Sequence, residues 1–376
     1  MNILKYTFPN YDKSLLSLVS SIENYYGIKN ERKSLKIVDD ELKKDYKNII
    51  VVLYDGFGYN ILNKNKDITP FLNDNLKDKL SSVFPPTTTA ATTSVMNGLS
   101  PFEHGWLGWD MYMKKYDSVV TLFLNVEKES KTEIKDYPGS FNILKTDYIT
   151  DKISKIDGCL GSYVSPFGDI TYTDIDDMNK KIIEITKNKK KNYIYAYYED
   201  PDHTMHDYGT DSIEAKKKFS LIDKKFKELC DNVSDSLIIM IADHGHINIR
   251  KWITLTDYPN IINMLEGTTG IDSRACSFRL KEGMEKEFEI NIRKIIKDDF
   301  ILMTKSEVIK NKIFGDGLES PFFKDGIGDY IAIAVSDKAI RYSDNHEAFK
   351  SNHAGITEDE VYVPLVMVKK EQNNEY

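Results

Sequence analysis

Four short, nearly unbroken apolar runs set the tightest limit on how this chain folds: Asn48–Leu53, Tyr193–Tyr197, Leu237–Ile241 and Val361–Val366. They are rich in β-branched residues and lack the polar alternation of a half-solvated strand, so each reads as a strand covered on both faces. Helical stretches lie among them, at Asp176–Thr186 and Ser212–Cys230. In the second, Phe219, Ile222, Phe226 and Leu229 recur close to the 3.6-residue period. Alternating strands and helices predict an α/β fold: three αβα layers around a mostly parallel central sheet. From Gly270 to His346 the pattern changes. Strands at Arg274–Phe278, Phe300–Met303 and Tyr330–Val335 and a helix at Met284–Ile296 read as a small α+β cap. The expected organisation is a catalytic core of residues 1–269 and 347–376, with the cap inserted at 270–346.

In an open parallel sheet, ligands bind beyond the carboxyl ends of the strands, so the residues that follow each strand matter most. After the first run come Asp55, Gly56 and Gly58. After the second come Asp202, His203 and His206, and after the third Asp243, His244 and His246. His353 precedes the last. Five of the seven histidines fall in these loops. A lone strand-end Asp is most often a turn former or helix cap. Carboxylates and imidazoles gathered at one end of one sheet, however, are costly to bring together without a cation. Asp202 and His206, four apart, share a face of a helical turn. No Cys-x-x-Cys pair exists, so a metal falls to Asp, Glu and His.

A further stretch runs from Phe84 through Pro85, Pro86, Thr87, Thr88 and Thr89 to Gly98. The prolines bar a helix before Thr87, Ala90 onward permits one, and Gly98 suits its C-terminal cap. A threonine thus sits at a helix N-terminus, where free N–H groups and the helix dipole favour phosphate. The same threonines would equally well serve as helix caps.

Together these stretches resemble the alkaline phosphatase superfamily and, within it, the type I phosphodiesterase/nucleotide pyrophosphatase family. The matching segments are Asp55-Gly56, Phe84–Gly105, Glu199–Gly209, Asp243-His244-Gly245 and His353-Ala354-Gly355 ahead of Val363-Pro364-Leu365, in the family's order. The resemblance implies that Thr88 is the nucleophile. It implies one metal site of Asp55, Asp243, His244 and Thr88, and a second of Asp202, His206 and His353. Two divalent ions are implied, zinc in the first place, with manganese suited to the same donors. The implied reaction is hydrolysis of a phosphodiester or pyrophosphate bond through a phospho-threonine, the metals activating the threonine and clamping the oxygens. His104, His203 and His246 match no ligand position and read as structural or supporting.

The pattern departs from the family in two places. Where the family has an Asn to hold the phosphoryl oxygen, this chain has Trp109. Where it has an aromatic residue after the nucleophile, this chain has Thr89. Thr89 is expected to bind substrate through its backbone N–H. Trp109 is expected to line the substrate pocket, and Trp106 and Tyr112 would be either further wall or core. These departures keep phosphonate or phosphomonoester hydrolysis open as an alternative. Arg274 is then a candidate for the extra cation a monoester needs. A remoter alternative is a non-catalytic binder, whose signature would be a lost ligand or nucleophile. Thr88 argues against a sulfatase.

The net charge of −8 argues against a nucleic-acid polymer as partner and leaves a small phosphate ester or nucleotide. The run Lys187–Lys191 reads as a solvated turn. Three cysteines, no two close in sequence, suit a reducing compartment. Without a signal-peptide pattern or a membrane-length apolar run, the expected location is the cytoplasm, with no membrane partner.

Overall fold

The computed structural model describes residues 4–135, 144–345 and 348–372. The apolar runs form the middle of a six-stranded sheet. In chain order its strands are β1 (Asn48–Tyr54), β2 (Leu76–Ser81), β3 (Cys159–Val164), β4 (Lys191–Tyr198), β5 (Ser236–Ile241) and β6 (Tyr362–Lys370). Across the sheet the order is β2-β6-β5-β1-β4-β3. β1 pairs in parallel with β4 and with β5. Its residues are buried throughout, because helices cover both faces. The exception to parallel order is β6, which runs antiparallel to β5 and β2. Its apolar run predicts a strand but carries no signal for direction.

The helix at Ile213–Asp231 shows how a face is chosen. Ser212 caps it by accepting the Ala215 N–H, and Phe219, Ile222, Phe226 and Leu229 are all buried. Each contributes about 1.5–3 kcal/mol in apolar burial. The fold is the three-layer α/β fold the alternation predicts.

A second, seven-stranded sheet lies beside the first. The strands expected in the cap are present at Ala275–Phe278, Phe300–Thr304 and Tyr330–Ala334. They are not a closed unit. Through Gly270–Ile271 the sheet continues into Asp110–Met113, Ser118–Thr121 and Val126–Glu127. The smaller lobe therefore draws on two distant stretches, and the boundary expected at Gly270 falls inside a sheet. The physical reason is the open edge that Ile271 presents, which Asp110 pairs. The added strands are two to four residues long, too short for a periodic signal in sequence. The other expected boundary, His346, lies outside the described residues. Among the described residues no helix is long and apolar enough to cross a membrane. The three cysteines are free and buried.

Candidate active site

The strand ends singled out by the sequence gather at one place, beside a cleft that Asp202, His206 and His353 line. Asp55 follows β1, and Gly56 turns the chain there with φ +71°. A Cβ at Gly56 would lie 2.9 Å from the His246 ring and 3.0 Å from Asp202 Cβ, so only glycine lets these loops approach so closely. Asp202 and His206 lie on the short helix Asp202–Tyr208 that follows β4. Asp243 and His244 follow β5.

Thr88 opens the helix Thr88–Asn97, with Thr87 extended before it and Gly98 left-handed after it. The first bond of the helix runs from Ala91 N to the Thr87 carbonyl at 2.9 Å. The N–H groups of Thr88 and Thr89 precede that bond and have no acceptor within the helix. Thr88 Oγ1 lies 3.3 and 3.4 Å from the two Asp55 oxygens and 3.2 Å from His244 Nε2. His244 Nε2 is also 3.3 Å from Asp55 and 3.5 Å from Asp243. Its other nitrogen, Nδ1, donates to the Gly245 carbonyl at 3.1 Å, which leaves Nε2 as a lone-pair donor facing Thr88.

Around Asp202 stands a second group. His206 Nε2 lies 3.4 Å from Asp202 and His353 Nε2 lies 3.7 Å from it, while His246 Nε2 makes a short contact. His206 Nδ1 donates to the Ser351 carbonyl at 2.9 Å, again fixing which nitrogen points inward. The rings of His244 and His353 stack 3.8 Å apart and join the two groups.

Two sets of donors converge closely enough to hold a cation: Asp55, Asp243 and His244; and Asp202, His244, His246 and His353, with all donor atoms in each set within 4.8 Å of one another. The first set brings together three of the four residues expected at one site, with Thr88 Oγ1 beside them. The second contains Asp202 and His353 together with His244 and His246; His206 is not in that set, although its Nε2 lies 3.4 Å from Asp202. The sequence places His246 at the same strand end but in a supporting role. The Asp-x-x-His spacing that puts it beside Asp243 is common to many turns. His104, by contrast, is structural. It is buried against Ser94 Oγ at 3.0 Å, and burial pushes it down to about 3.

The electrostatics fit a cation. Burial raises Asp55 well above the usual carboxylate range, and the nearby Asp243 and Asp202 raise it further. Burial likewise raises Asp243 and lowers His353 far below an ordinary imidazole. Burial also acts to raise Asp202, but His206 and His246 outweigh it and hold this carboxyl low. Asp243 Oδ2 and His353 Nδ1 are buried with no hydrogen-bond partner. Carboxylates packed together with idle lone pairs need a positive charge among them. The oxygen and nitrogen donors present suit divalent zinc or manganese.

Thr88, Asp202, His206 and His353 line a cleft of about 460 Å³. Trp109, 41% exposed, lines it as expected. Thr89 is fully buried and does not line the cleft. Trp106 is core, its indole N–H donating to the Leu144 carbonyl at 3.3 Å. Tyr112 lies against Arg279. Arg274 is not a pocket cation. It is fully buried against Glu360. The cleft instead carries Lys128, held 3.1 Å from Asp110, and Asp272, which accepts from Thr87 Oγ1 at 3.1 Å. Burial pushes Asp272 up to about 6. Neither had a sequence signal, because both reach the cleft through the second sheet.

No curated protein gives a significant sequence match. Among solved structures, murine ectonucleotide pyrophosphatase/phosphodiesterase 5 superposes with a TM-score of 0.66 at 19% identity, covering 86% of this chain and 91% of its own. The human protein of the same name gives 0.65 at 19% identity, covering 86% and 87%. An inactive variant of the murine protein, solved in complex with AMP, gives 0.66 at 19% identity, covering 86% and 91%. At this identity the likeness shows the fold. The family model for type I phosphodiesterase/nucleotide pyrophosphatase matches residues 49–356, which contain every strand-end residue described above. On that match, the chain belongs to the type I phosphodiesterase/nucleotide pyrophosphatase family of phosphoric ester hydrolases.

Proposed function

We propose that this protein hydrolyses phosphodiester or pyrophosphate bonds of a small molecule through a covalent phospho-threonine on Thr88, with two divalent cations held by Asp55, Asp243 and His244 and by Asp202, His206 and His353. The carrying observation is the position of Thr88 Oγ1, at a helix N-terminus and within 3.4 Å of both Asp55 and His244. Bound cations would supply charge neutralisation for the buried carboxylates and electrophilic assistance to the phosphoryl group. Asp55 and His244 hold the Thr88 hydroxyl oxygen for in-line attack. As the Thr88 oxygen gives up its proton to water and bonds to phosphorus, the bond to the leaving-group oxygen breaks and the leaving group takes up a proton. Water then cleaves the phospho-threonine and restores the hydroxyl. The Thr89 N–H, which has no acceptor within the helix, is the backbone donor we assign to a non-bridging oxygen.

A nucleotide is the leading substrate class, supported by the AMP complex of the murine relative and by Trp109 on the cleft wall. A second reading, phosphomonoester or phosphonate hydrolysis, draws support from Lys128 in the same cleft.

The test compares zinc- and manganese-loaded protein on bis-p-nitrophenyl phosphate, the p-nitrophenyl ester of thymidine 5′-monophosphate, p-nitrophenyl phosphate and a simple phosphonate. Diester turnover is expected to lead, and Thr88→Ala is expected to lower it by at least about a thousandfold. Monoester or phosphonate preference would move the assignment to the second reading. Undiminished turnover in Thr88→Ala would end the covalent mechanism.

A further inference from the structure

Glu360 is a fully buried carboxylate outside the cleft, and five donors converge on it. Arg274 Nε and Nη2 donate to it as a fork, at 2.6 and 2.7 Å. The Gly355 N–H donates at 2.7 Å, and Thr357 donates its N–H at 3.2 Å and its Oγ1 at 2.6 Å. The backbone carbonyl of Glu360 accepts the Gly245 N–H at 2.8 Å. Arg274 gives its remaining amino group to the Lys338 carbonyl at 2.5 Å.

Three parts of the molecule meet at this pair. Gly245 directly follows Asp243 and His244, Gly355 is two residues past His353, and Arg274 leads into a strand of the second sheet. A parallel tie runs beside it. Asn352 donates to Ser273 Oγ at 2.8 Å, and the Asn352 carbonyl oxygen of the side chain accepts the His353 N–H at 2.8 Å. The packing leaves no slack: a Cβ on Gly355 would lie 2.8 Å from both Arg274 Nη2 and Glu360 Oε2.

Stability alone does not account for such a pair. Taking both charges out of water costs about as much as their attraction returns, and apolar side chains of similar volume commonly fill such sites equally well. Apolar side chains would not reproduce the directional bonds to the Gly355 and Thr357 backbone. We propose that the Arg274–Glu360 pair is a positioning device for the metal centre. From outside the cleft it fixes the loop of His353 against the loop of His244, and so couples the second lobe to the closure of the metal site around Asp202. The inference rests on the two-cation reading of the site given above.

The test is zinc binding, read by competition with a chromogenic chelator, alongside kcat and KM on bis-p-nitrophenyl phosphate. The parent is expected to bind two equivalents. The double variant Arg274→Met/Glu360→Leu is expected to melt near the parent in EDTA. It is expected to bind one of the two equivalents at least about tenfold more weakly and to lose at least about tenfold in kcat, with KM changed by less than about threefold. Arg274→Lys keeps the charge but loses the two-pronged donation to Glu360. It is expected to weaken the same equivalent, and it decides the matter if the double variant does not fold. Parental affinity for both equivalents in a folded variant would overturn the proposal. A parent that binds no zinc would instead overturn the metal reading, and the proposal with it.

Discussion

At the scale of single residues, the cleft depends on partners that hold its donors in place. Tyr197, on β4, donates its hydroxyl to Asp55 Oδ2 at 2.5 Å, next to the Thr88 hydroxyl. Tyr197→Phe removes that bond with little loss of volume. It is expected to cost about 10–100-fold in metal affinity or kcat, measured by chelator competition and initial rates. Asp272 gives a pH-dependent expectation. Its carboxyl is raised to about 6, chiefly by burial, so the folded protein binds this proton more tightly than the unfolded chain does. Such a group contributes stability at pH below its ordinary value near 4, and the contribution is lost as pH rises through about 6. Asp272→Asn is therefore expected to gain stability relative to the parent between pH 5 and pH 8, by at most about 3 kcal/mol, read by urea denaturation at both pH values. Most metal-ligand candidates stand out in sequence because they follow a strand of the sheet, where fold geometry places ligands; His353 instead precedes one. Tyr197 does not stand out. It sits inside an apolar run, where an aromatic residue reads as core.

At the scale of elements, the site depends on how tightly the strand-end loops approach one another. Gly56 and its neighbours show this, and Gly56→Ala tests it. The substitution adds a methyl at a left-handed φ of +71° and against His246 and Asp202. It is expected to cost about 1–3 kcal/mol in stability and to weaken metal binding, measured by calorimetry and chelator titration. The elements themselves were unevenly legible. Ile213–Asp231 and Thr88–Asn97 were readable because periodicity, capping residues and a terminal glycine agree. The strands Asp110–Met113, Ser118–Thr121 and Val126–Glu127 were not, because their pairing is with distant chain and their own sequence is short and mixed. The same blind spot hid Lys128 and Asp272, which those elements carry or contact. The direction of β6 escaped for a related reason: a buried antiparallel strand and a buried parallel one have the same composition.

At the scale of the whole molecule, the buried acidic cluster is expected to make stability depend on a bound cation. In a protein that binds metal only when folded, the gain is about 4 kcal/mol when free metal stands a thousandfold above its dissociation constant. EDTA is accordingly expected to lower the melting temperature, and zinc or manganese to restore it, in scanning calorimetry. An unchanged melting temperature would contradict a filled cation site. The sheet order β2-β6-β5-β1-β4-β3 bears on biosynthesis as well. β2 finds no partner among the strands made soon after it. Its neighbour is β6, which pairs it through Tyr362 opposite Ser81, at the far end of the chain. On a ribosome, β1, β4 and β5 can assemble as they emerge. β2 and the outer edge of β5 stay open until Tyr362–Lys370 has been added. A nascent chain that stalls before Tyr362 therefore exposes two strand edges at once, the kind of surface that chaperones bind and that seeds aggregation.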